Sequence, residues 1–483
     1  MTLPEDFIRE TRLLMGEARF NRFIGAFDEE APVSIRLNPR FSRSEECGAR
    51  PKAACYQRDA RMWSEDTPSA GFSEDTTAAD SMEEGNHNSP FSILNSQFDK
   101  VPWCPEGFYL SGRPQFTFDP LFHAGCYYVQ ESASMFITHV LKTIRNEKLE
   151  MSNDDYIARP KSVSDSAYRS NHNSSLLIPH YSLQALDLCA APGGKSTAMR
   201  TVLPEGSILV SNEPIPTRAQ ILLENITKWG WPDCIVTNNY PRDFRKAKMT
   251  FDLILCDVPC SGEGMFRKDP ATISEWSLQN VEKCWRLQRE IVADAWGCLN
   301  PGGLLIYSTC TYNIKENEEN IRWILDTYDA EPVAIPTDPS WNITGSLLPG
   351  FDAPVYRFIP GITRSEGLFL AVIKKRGEWK EVRGKRNDWR QIKGLSILSP
   401  LTSHLSPLKV ALSYSDALRY LRGEALVLPP DKPRGIVTVT YRGVPLGPAK
   451  NIGPRANNLY PKPWRIKTTH LPSTPVEILI SEK

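Results

Sequence analysis

Two cysteines stand just past the ends of short apolar runs. Phe251-Asp252-Leu253-Ile254-Leu255-Cys256 leads into Asp257-Val258-Pro259-Cys260-Ser261-Gly262, and Gly303-Leu304-Leu305-Ile306-Tyr307 leads into Ser308-Thr309-Cys310-Thr311. A thiolate is a strong nucleophile, so two thiols facing one pocket point to covalent chemistry. Most cysteines are inert small hydrophobes, and that is explanation enough for Cys126, Cys234, Cys284 and Cys298. It fits Cys260 and Cys310 poorly, because each sits among small or hydroxyl residues beyond a strand end. Asp257, three residues before Cys260, puts a carboxylate on the same rim.

A second cluster can hold a ligand. Leu183 to Leu188 is a short apolar run with the length of a buried strand. Cys189, Ala190, Ala191, Pro192, Gly193 and Gly194 follow with little side-chain bulk, so backbone can approach a ligand closely. Ser196 or Thr197 is expected to cap a helix that Ala198 to Leu203 begins. Strand, small-residue turn and helix N-terminus together suit a nucleotide-like cofactor. Ile208 to Val210 forms the next strand, and Glu213 beyond it is placed to accept ribose hydroxyls. Lys195 can lower a thiol pKa or orient a base, against the ordinary alternative of a solvated lysine. Asp187 can brace the loop as easily as touch ligand.

These residues need a scaffold. Apolar runs at 183–188, 207–211, 233–237, 251–256, 303–307 and 367–373 alternate with helical patterns, which predicts a mostly parallel α/β sheet covered on both faces. Ligands of such sheets bind outside the carboxyl ends of the strands, so both cysteines fall on the ligand-holding rim. Upstream, Phe7, Leu13, Leu14, Phe20, Phe23 and Ile24 trace an amphipathic helix, and Pro32 to Arg40 alternates like a strand. Residues 41–98, dominated by Ser, Glu and Asp, have the composition of a poorly ordered insertion, and 147–180, polar and Asn/Ser-rich, read as a second insertion. From about residue 395 a small unit holds a helical Ala417–Gly423 and a strand-like Gly435–Thr440. There Lys432, Arg434, Arg442, Lys450, Arg455, Lys462, Arg465 and Lys467 lie against one acid, Asp431, with Tyr460 and Trp464 among them. Such a run is ordinarily a solvated face; mixed with aromatics in an otherwise neutral chain, it suggests an RNA-facing surface.

Composition narrows the classes. A chain of 483 residues, 41% hydrophobic and 24% charged, has the make-up of a globular protein with room for two or three domains. Formal net charge is zero, so a nucleic-acid surface must be a local patch. No apolar stretch reaches membrane-spanning length, and the N-terminus lacks the pattern of a signal peptide. Eleven cysteines without CxxC pairs argue against zinc and against a disulfide framework, and the expected compartment is the reducing cytoplasm. No metal site is expected.

Asp187 to Thr197, Asp257 to Gly262, Tyr307 to Thr311, Gly125 to Met135 and Ser34 to Pro39 together resemble the Nol/Nop/Sun family of RNA cytosine-C5 methyltransferases. The tail, with Tyr420-Leu421-Arg422-Gly423-Glu424 and Pro445-Leu446-Gly447-Pro448-Ala449-Lys450, resembles the PUA-like RNA-binding end of bacterial members acting on small-subunit ribosomal RNA. The resemblance implies a Rossmann-like sheet using S-adenosyl-L-methionine, an N-terminal extension over 1–146 and a catalytic domain over 181–376. A linker over 377–394 and an RNA-binding domain over 395–483 complete that layout. It implies Cys310 as nucleophile, Cys260 as the residue that helps remove the C5 proton, and Asp257 as the hydrogen-bond partner of the cytosine. The implied cofactor residues are Cys189 to Lys195, Glu213, Asn239 and Asp257. The sequence departs from the family in two respects: Tyr240 stands where an acidic residue often holds the adenine side, which makes Asn239 the substitute candidate, and the two polar insertions are longer than the family core requires. The implied partner is ribosomal RNA or an assembling subunit, with transfer RNA as the alternative target and the chain acting as a monomer. A DNA cytosine methyltransferase and an inactive RNA-binding assembly factor are the rivals. The Thr-Cys cysteine and basic tail oppose the first, and the presence of both cysteines, Asp257 and Lys195 opposes the second.

Overall fold

The computed structural model describes residues 2–41, 98–145, 182–377 and 406–468, with positions 387, 392, 396–397, 470–472, 474–476 and 478–479. The two polar stretches at 42–97 and 146–181, and most of 378–405, lie outside the described residues.

The chain opens with two helices, Glu5–Met15 and Glu17–Gly25, parted at Gly16, whose φ of 71° ends the first. The single amphipathic helix expected from sequence is therefore broken, and Leu13 is 80% exposed. Phe7, Phe20 and Phe23 are buried and pack on Phe266, Trp276 and Tyr312, so this pair of helices leans on the loops that follow both site cysteines. Next comes an antiparallel sheet of β1 (Val33–Leu37), β2 (Lys100–Val101), β3 (Cys104–Leu110) and β4 (Tyr127–Val129), in the order β2-β3-β1-β4.

The central sheet contains β5 (Gln184–Asp187), β6 (Ile208–Asn212), β7 (Cys234–Thr237), β8 (Phe251–Asp257) and β9 (Leu299–Thr309), all mutually parallel. β12 (Leu368–Lys375) and β13 (Ser396–Ile397) run antiparallel to these five, and β10 (Ala330–Val333) and β11 (Tyr356–Phe358), each paired antiparallel with β12, complete the nine strands. The order along the sheet is β10-β12-β9-β8-β5-β6-β7-β13, with β11 added on β12. Parallel strands buried on both faces read as continuous apolar runs. Here the alternation within each run separates two cores. Ala185, Leu209, Leu253, Leu255, Leu304 and Ile306 face Met199, Leu222 and Phe136. Leu186, Val210, Ile254, Cys256, Leu305 and Tyr307 face Phe244, Ile291, Trp296 and Ile321. The six expected strands all form. The edge strands β10, β11 and β13 are short, and their sequences carry too few residues for a periodic signal. Strand order reverses beside β5, which has β6 on one side and β8 on the other; the crevice of such a sheet opens there.

The C-terminal part forms a second small sheet of β14 (Lys409–Ala411), β15 (Gly435–Tyr441), β16 (Val444–Asn451) and β17 (Ala456–Asn458). Its helix, Tyr414–Leu421, is capped by Ser413 Oγ, which accepts from the Asp416 amide at 3.1 Å. This unit does not stand apart: Val410, Leu418, Leu421 and Val439 share one core with Ile35, Phe108, Leu121 and Tyr127 of the N-terminal part. Tyr414 Oη donates to the Phe118 carbonyl at 3.0 Å across that seam.

Candidate active site

β5 ends at Asp187, and the chain turns through Leu188 to Gly193 before the helix Gly194–Val202. The helix begins four residues earlier than the sequence pattern indicates. Gly193, at φ 113°, occupies the capping position without any side-chain cap, a backbone conformation that favours glycine. Ser196 and Thr197 therefore do not cap the helix. Ser196 Oγ donates to Asp187 Oδ2 at 2.6 Å, and Thr197 Oγ1 accepts from Arg36 Nη2 at 2.5 Å. A Cβ on Gly194 would point at Tyr128 and Gln130, 3.4–3.5 Å away, and not into the crevice. The use of that glycine is close packing of the helix on the N-terminal sheet.

One residue knits three strand ends together. Asn212 Nδ2 donates to the Leu188 and Asn239 carbonyls at 3.0 and 2.8 Å, while its Oδ1 accepts from Thr237 Oγ1 and the Asn239 amide at 2.9 and 3.0 Å. Sequence reasoning missed it, because nothing local marks an asparagine whose four partners come from other segments. Arg36, within the Ser34 to Pro39 segment, is buried. It donates to Gln130 Oε1 and Thr197 and stacks 4.4 Å over the Trp229 ring, tying β1 to the turn. Burial lowers its guanidinium to about 10.

Glu213 follows β6 and is 1% exposed. Its Oε1 accepts from the Ile215 amide at 3.0 Å, whereas Oε2 has no hydrogen-bond partner and lies 3.5 Å from Arg218. Asp187 Oδ1 is likewise buried without a partner, and burial pushes that carboxyl up to about 7. Asn239 is buried past the end of β7, while Tyr240 is 56% exposed and serves as the N-cap of the helix Pro241–Lys246. Thus Asp187, Glu213, Asn239 and Asp257 stand at or just past the carboxyl ends of adjacent strands β5, β6, β7 and β8.

The two thiols meet. Cys260 and Cys310 Sγ are 3.2 Å apart, and the Cys310 amide points at Cys260 Sγ from 3.4 Å. The hydrogen bond with Cys260 draws Cys310 below the ordinary thiol range against the effect of burial, and the Lys195 ammonium adds to this. Cys260 moves the other way, raised first by that same bond and then by burial. Lys195 Nζ donates to Asp257 Oδ2 at 2.8 Å, and Ser308 Oγ donates to Asp257 Oδ1. Burial lowers an ammonium pKa, but the Asp257 carboxylate holds Lys195 above its usual value. Every other described cysteine with a shifted pKa (Cys104, Cys126, Cys189, Cys234, Cys256, Cys284 and Cys298) is pushed up chiefly by burial.

Arg267, in the loop after Cys260, has a side chain only 6% exposed, and its Nη1 donates to the buried Glu366 at 2.8 Å. Tyr460 is 2% exposed and packs on Tyr420 and Trp464, so it is core and not a stacking platform among the tail's cations. Among the described residues no group of three or more His, Cys, Asp or Glu can hold a metal ion, and no helix is long and apolar enough to cross a membrane.

A parallel sheet with an antiparallel strand between its last two members, and a nucleotide-type turn at its reversal point, defines the Rossmann-like fold of S-adenosylmethionine-dependent methyltransferases. Solved structures agree on the fold: one titled PH0851 covers 77% of this chain and 66% of its own at TM-score 0.55 and 20% identity. A second, NSun6 from Pyrococcus horikoshii with SFG, covers 78% of this chain and 99% of its own at TM-score 0.51 and 17% identity. Residues 174–374 match the model described as 16S rRNA methyltransferase RsmB/F. Residues 407–466 match the methyltransferase RsmF PUA domain, and 79–132 the N-terminal domain of 16S rRNA methyltransferase RsmF. The match to the RsmB/F methyltransferase model over 174–374 is thus flanked in sequence by matches to the RsmF N-terminal and PUA domains. Among curated relatives, ribosomal RNA small subunit methyltransferase F of Cronobacter sakazakii is 31% identical over 291 residues, which is 58% of this chain and 52% of that protein. The protein of the same name from Enterobacter sp. is 27% identical over 438 residues, 76% of this chain and 84% of that protein. In the first of these matches the chain spans about half the relative's length.

Proposed function

We propose that the protein transfers a methyl group from S-adenosylmethionine to C5 of a cytosine in RNA, with small-subunit ribosomal RNA as the substrate. The observation that carries the reaction type is the Cys260–Cys310 contact of 3.2 Å beside the Lys195–Asp257 pair. The ribosomal target rests on the names of the curated relatives and of the matched models.

The cofactor residues fit. Glu213 offers a buried carboxylate oxygen with no hydrogen-bond partner where ribose hydroxyls are held in such folds, and the turn after β5 lies at the point where strand order reverses. Asn239 and Asp257 close the neighbouring strand ends. When bound, S-adenosylmethionine supplies an electrophilic methyl group on its sulfonium.

Cytosine C5 is a poor nucleophile. Cys310 adds as thiolate to C6, which makes C5 enamine-like and able to accept a methyl group. Asp257 holds the cytosine N3/N4 edge and steadies the charge that develops there. Lys195 keeps Asp257 in place and its ammonium favours the Cys310 thiolate. Cys260, after giving up its own thiol proton to solvent, takes the C5 proton from the methylated adduct, the C6–S bond breaks and Cys310 leaves as thiolate. A stacked duplex hides these atoms, so the target base must be single-stranded or flipped out.

Tritiated S-adenosylmethionine incubated with under-modified 30S subunits, naked 16S RNA, transfer RNA and matched DNA tests the reading. Label recovered as 5-methylcytosine in ribosomal RNA alone is the expected result. Label in DNA, in transfer RNA only, or in none of the four would overturn the assignment.

A further inference from the structure

The loops that carry the two thiols are joined by a reciprocal set of hydrogen bonds that neither sequence motif announces. Glu263, three residues past Cys260, accepts the Tyr312 and Asn313 amides on its Oε2 at 2.7 and 3.1 Å. Its Oε1 accepts from Trp276 Nε1 and from Asn313 Nδ2, both at 3.0 Å. Glu316, six residues past Cys310, returns the grip: Oε2 accepts the Ser261 amide at 3.0 Å and Gln288 Nε2 at 2.6 Å. Asn313 Nδ2 also reaches Glu316 Oε1 at 2.8 Å, so one amide bridges both carboxyl groups. Ser261 and Thr311, the residues immediately after the two cysteines, touch through their hydroxyls at 2.9 Å.

We propose that Glu263 and Glu316 are positioning residues that cross-brace these loops and hold the Cys260 thiol against the Cys310 sulfur. The inference rests on the reading of Cys310 as nucleophile and Cys260 as its hydrogen-bond donor. Each carboxyl group holds the backbone that follows the opposite cysteine, so losing either lets one loop move relative to the other. Both carboxyl groups are buried, at 2% and 0% exposure, and a buried carboxylate is costly unless its acceptors are filled. All four oxygens are filled here, by donors from those loops and from Trp276 and Gln288. Neither glutamate lies between the two sulfurs, so each acts through the backbone it holds.

The sign of the effect separates positioning from charge. The Glu316 carboxylate opposes ionisation of Cys310. Removing it as a charge alone would make the thiolate easier to form. Removing it as a brace takes away the Cys260 hydrogen bond that favours the thiolate, and makes it harder to form. The test is the pH dependence of iodoacetamide alkylation of Cys310, resolved from Cys260 by peptide mass spectrometry. Glu316→Ala and Glu263→Ala are each expected to raise the midpoint by about one pH unit, or roughly tenfold less thiolate at a fixed pH. Glu316→Gln keeps an oxygen for the Ser261 amide and should return the midpoint most of the way to wild type. An unchanged or lowered midpoint in the folded alanine variants overturns the proposal. Should they fail to fold, Asn313→Ala, which removes the half-buried bridge, decides it: a raised midpoint supports the brace and an unchanged one overturns it. The measurement uses neither RNA nor S-adenosylmethionine. Failure of the brace therefore leaves methyl transfer by the wild type intact, and failure of methyl transfer leaves the alkylation result standing.

Discussion

Cys260 and Cys310 are chemically alike and sit in unlike surroundings. The hydrogen bond with Cys260 and, to a smaller degree, the Lys195 ammonium favour ionisation of Cys310, whereas the same bond raises Cys260. That asymmetry supports the proposed attack by Cys310, while the proposed proton removal requires Cys260 first to lose its own proton. Cys310→Ala should therefore form neither product nor an RNA-linked species. Cys260→Ala should methylate once and remain attached, giving a slow band on a denaturing gel. A band in Cys310→Ala alone would reverse the roles; near-normal turnover in both would make the thiols structural. At the cofactor end, Glu213→Ala should weaken S-adenosylmethionine binding by roughly 1–3 kcal/mol, measured by calorimetry. Equal affinity would remove Glu213 from the site. The cysteines, Asp257, Lys195 and Glu213 were visible in the sequence because each sits at a fixed offset from a strand run. Asn212, Glu263 and Glu316 were not, since their partners lie in other segments and no spacing records them.

At the scale of elements, the five parallel strands were legible because burial on both faces requires an unbroken apolar run. Helix starts were less so. The pattern of Ala198 to Leu203 marks the helix face, but Gly193 starts the helix through backbone conformation, which hydrophobic spacing does not report. The N-terminal pattern hid a break at Gly16 for the same reason. Packing between loops is sharper still. Gly264 donates its amide to the Cys310 carbonyl at 2.8 Å, and a Cβ there would lie 2.8 Å from that oxygen and 3.3 Å from the Glu366 carbonyl. Both neighbours are backbone, so neither can turn away. Gly264→Ala should destabilise the fold by about 1–3 kcal/mol, read from a chemical denaturation midpoint. It should also slow Cys310 alkylation at pH 7 while leaving cofactor affinity as it was. Normal stability and thiol reactivity would show that the loop tolerates the displacement.

Across the whole molecule, the C-terminal unit closes on the N-terminal sheet, which a reading of consecutive segments does not reveal. Leu418, Leu421 and Val439 pack with Ile35, Phe108 and Tyr127 in one core, so the small C-terminal unit cannot be cut away without uncovering apolar surface. Truncation before residue 406 is thus a test of folding and not of RNA affinity. Charge substitution tests affinity cleanly. Arg434, Lys450 and Arg455 are exposed and lie on β16 or on the turns beside it, and Arg434 approaches the Gly453 turn. If these side chains meet phosphates, binding falls with salt, and each contact contributes roughly one to the slope of log K against log salt. Replacing all three with Gln should flatten that slope by about 2–3 and weaken binding at low salt. The denaturation midpoint and S-adenosylmethionine affinity should stay at wild-type values, because no core side chain changes. A slope equal to wild type would make this face a solvated surface, and the search for the RNA contact would move to the rim of the cysteine loops.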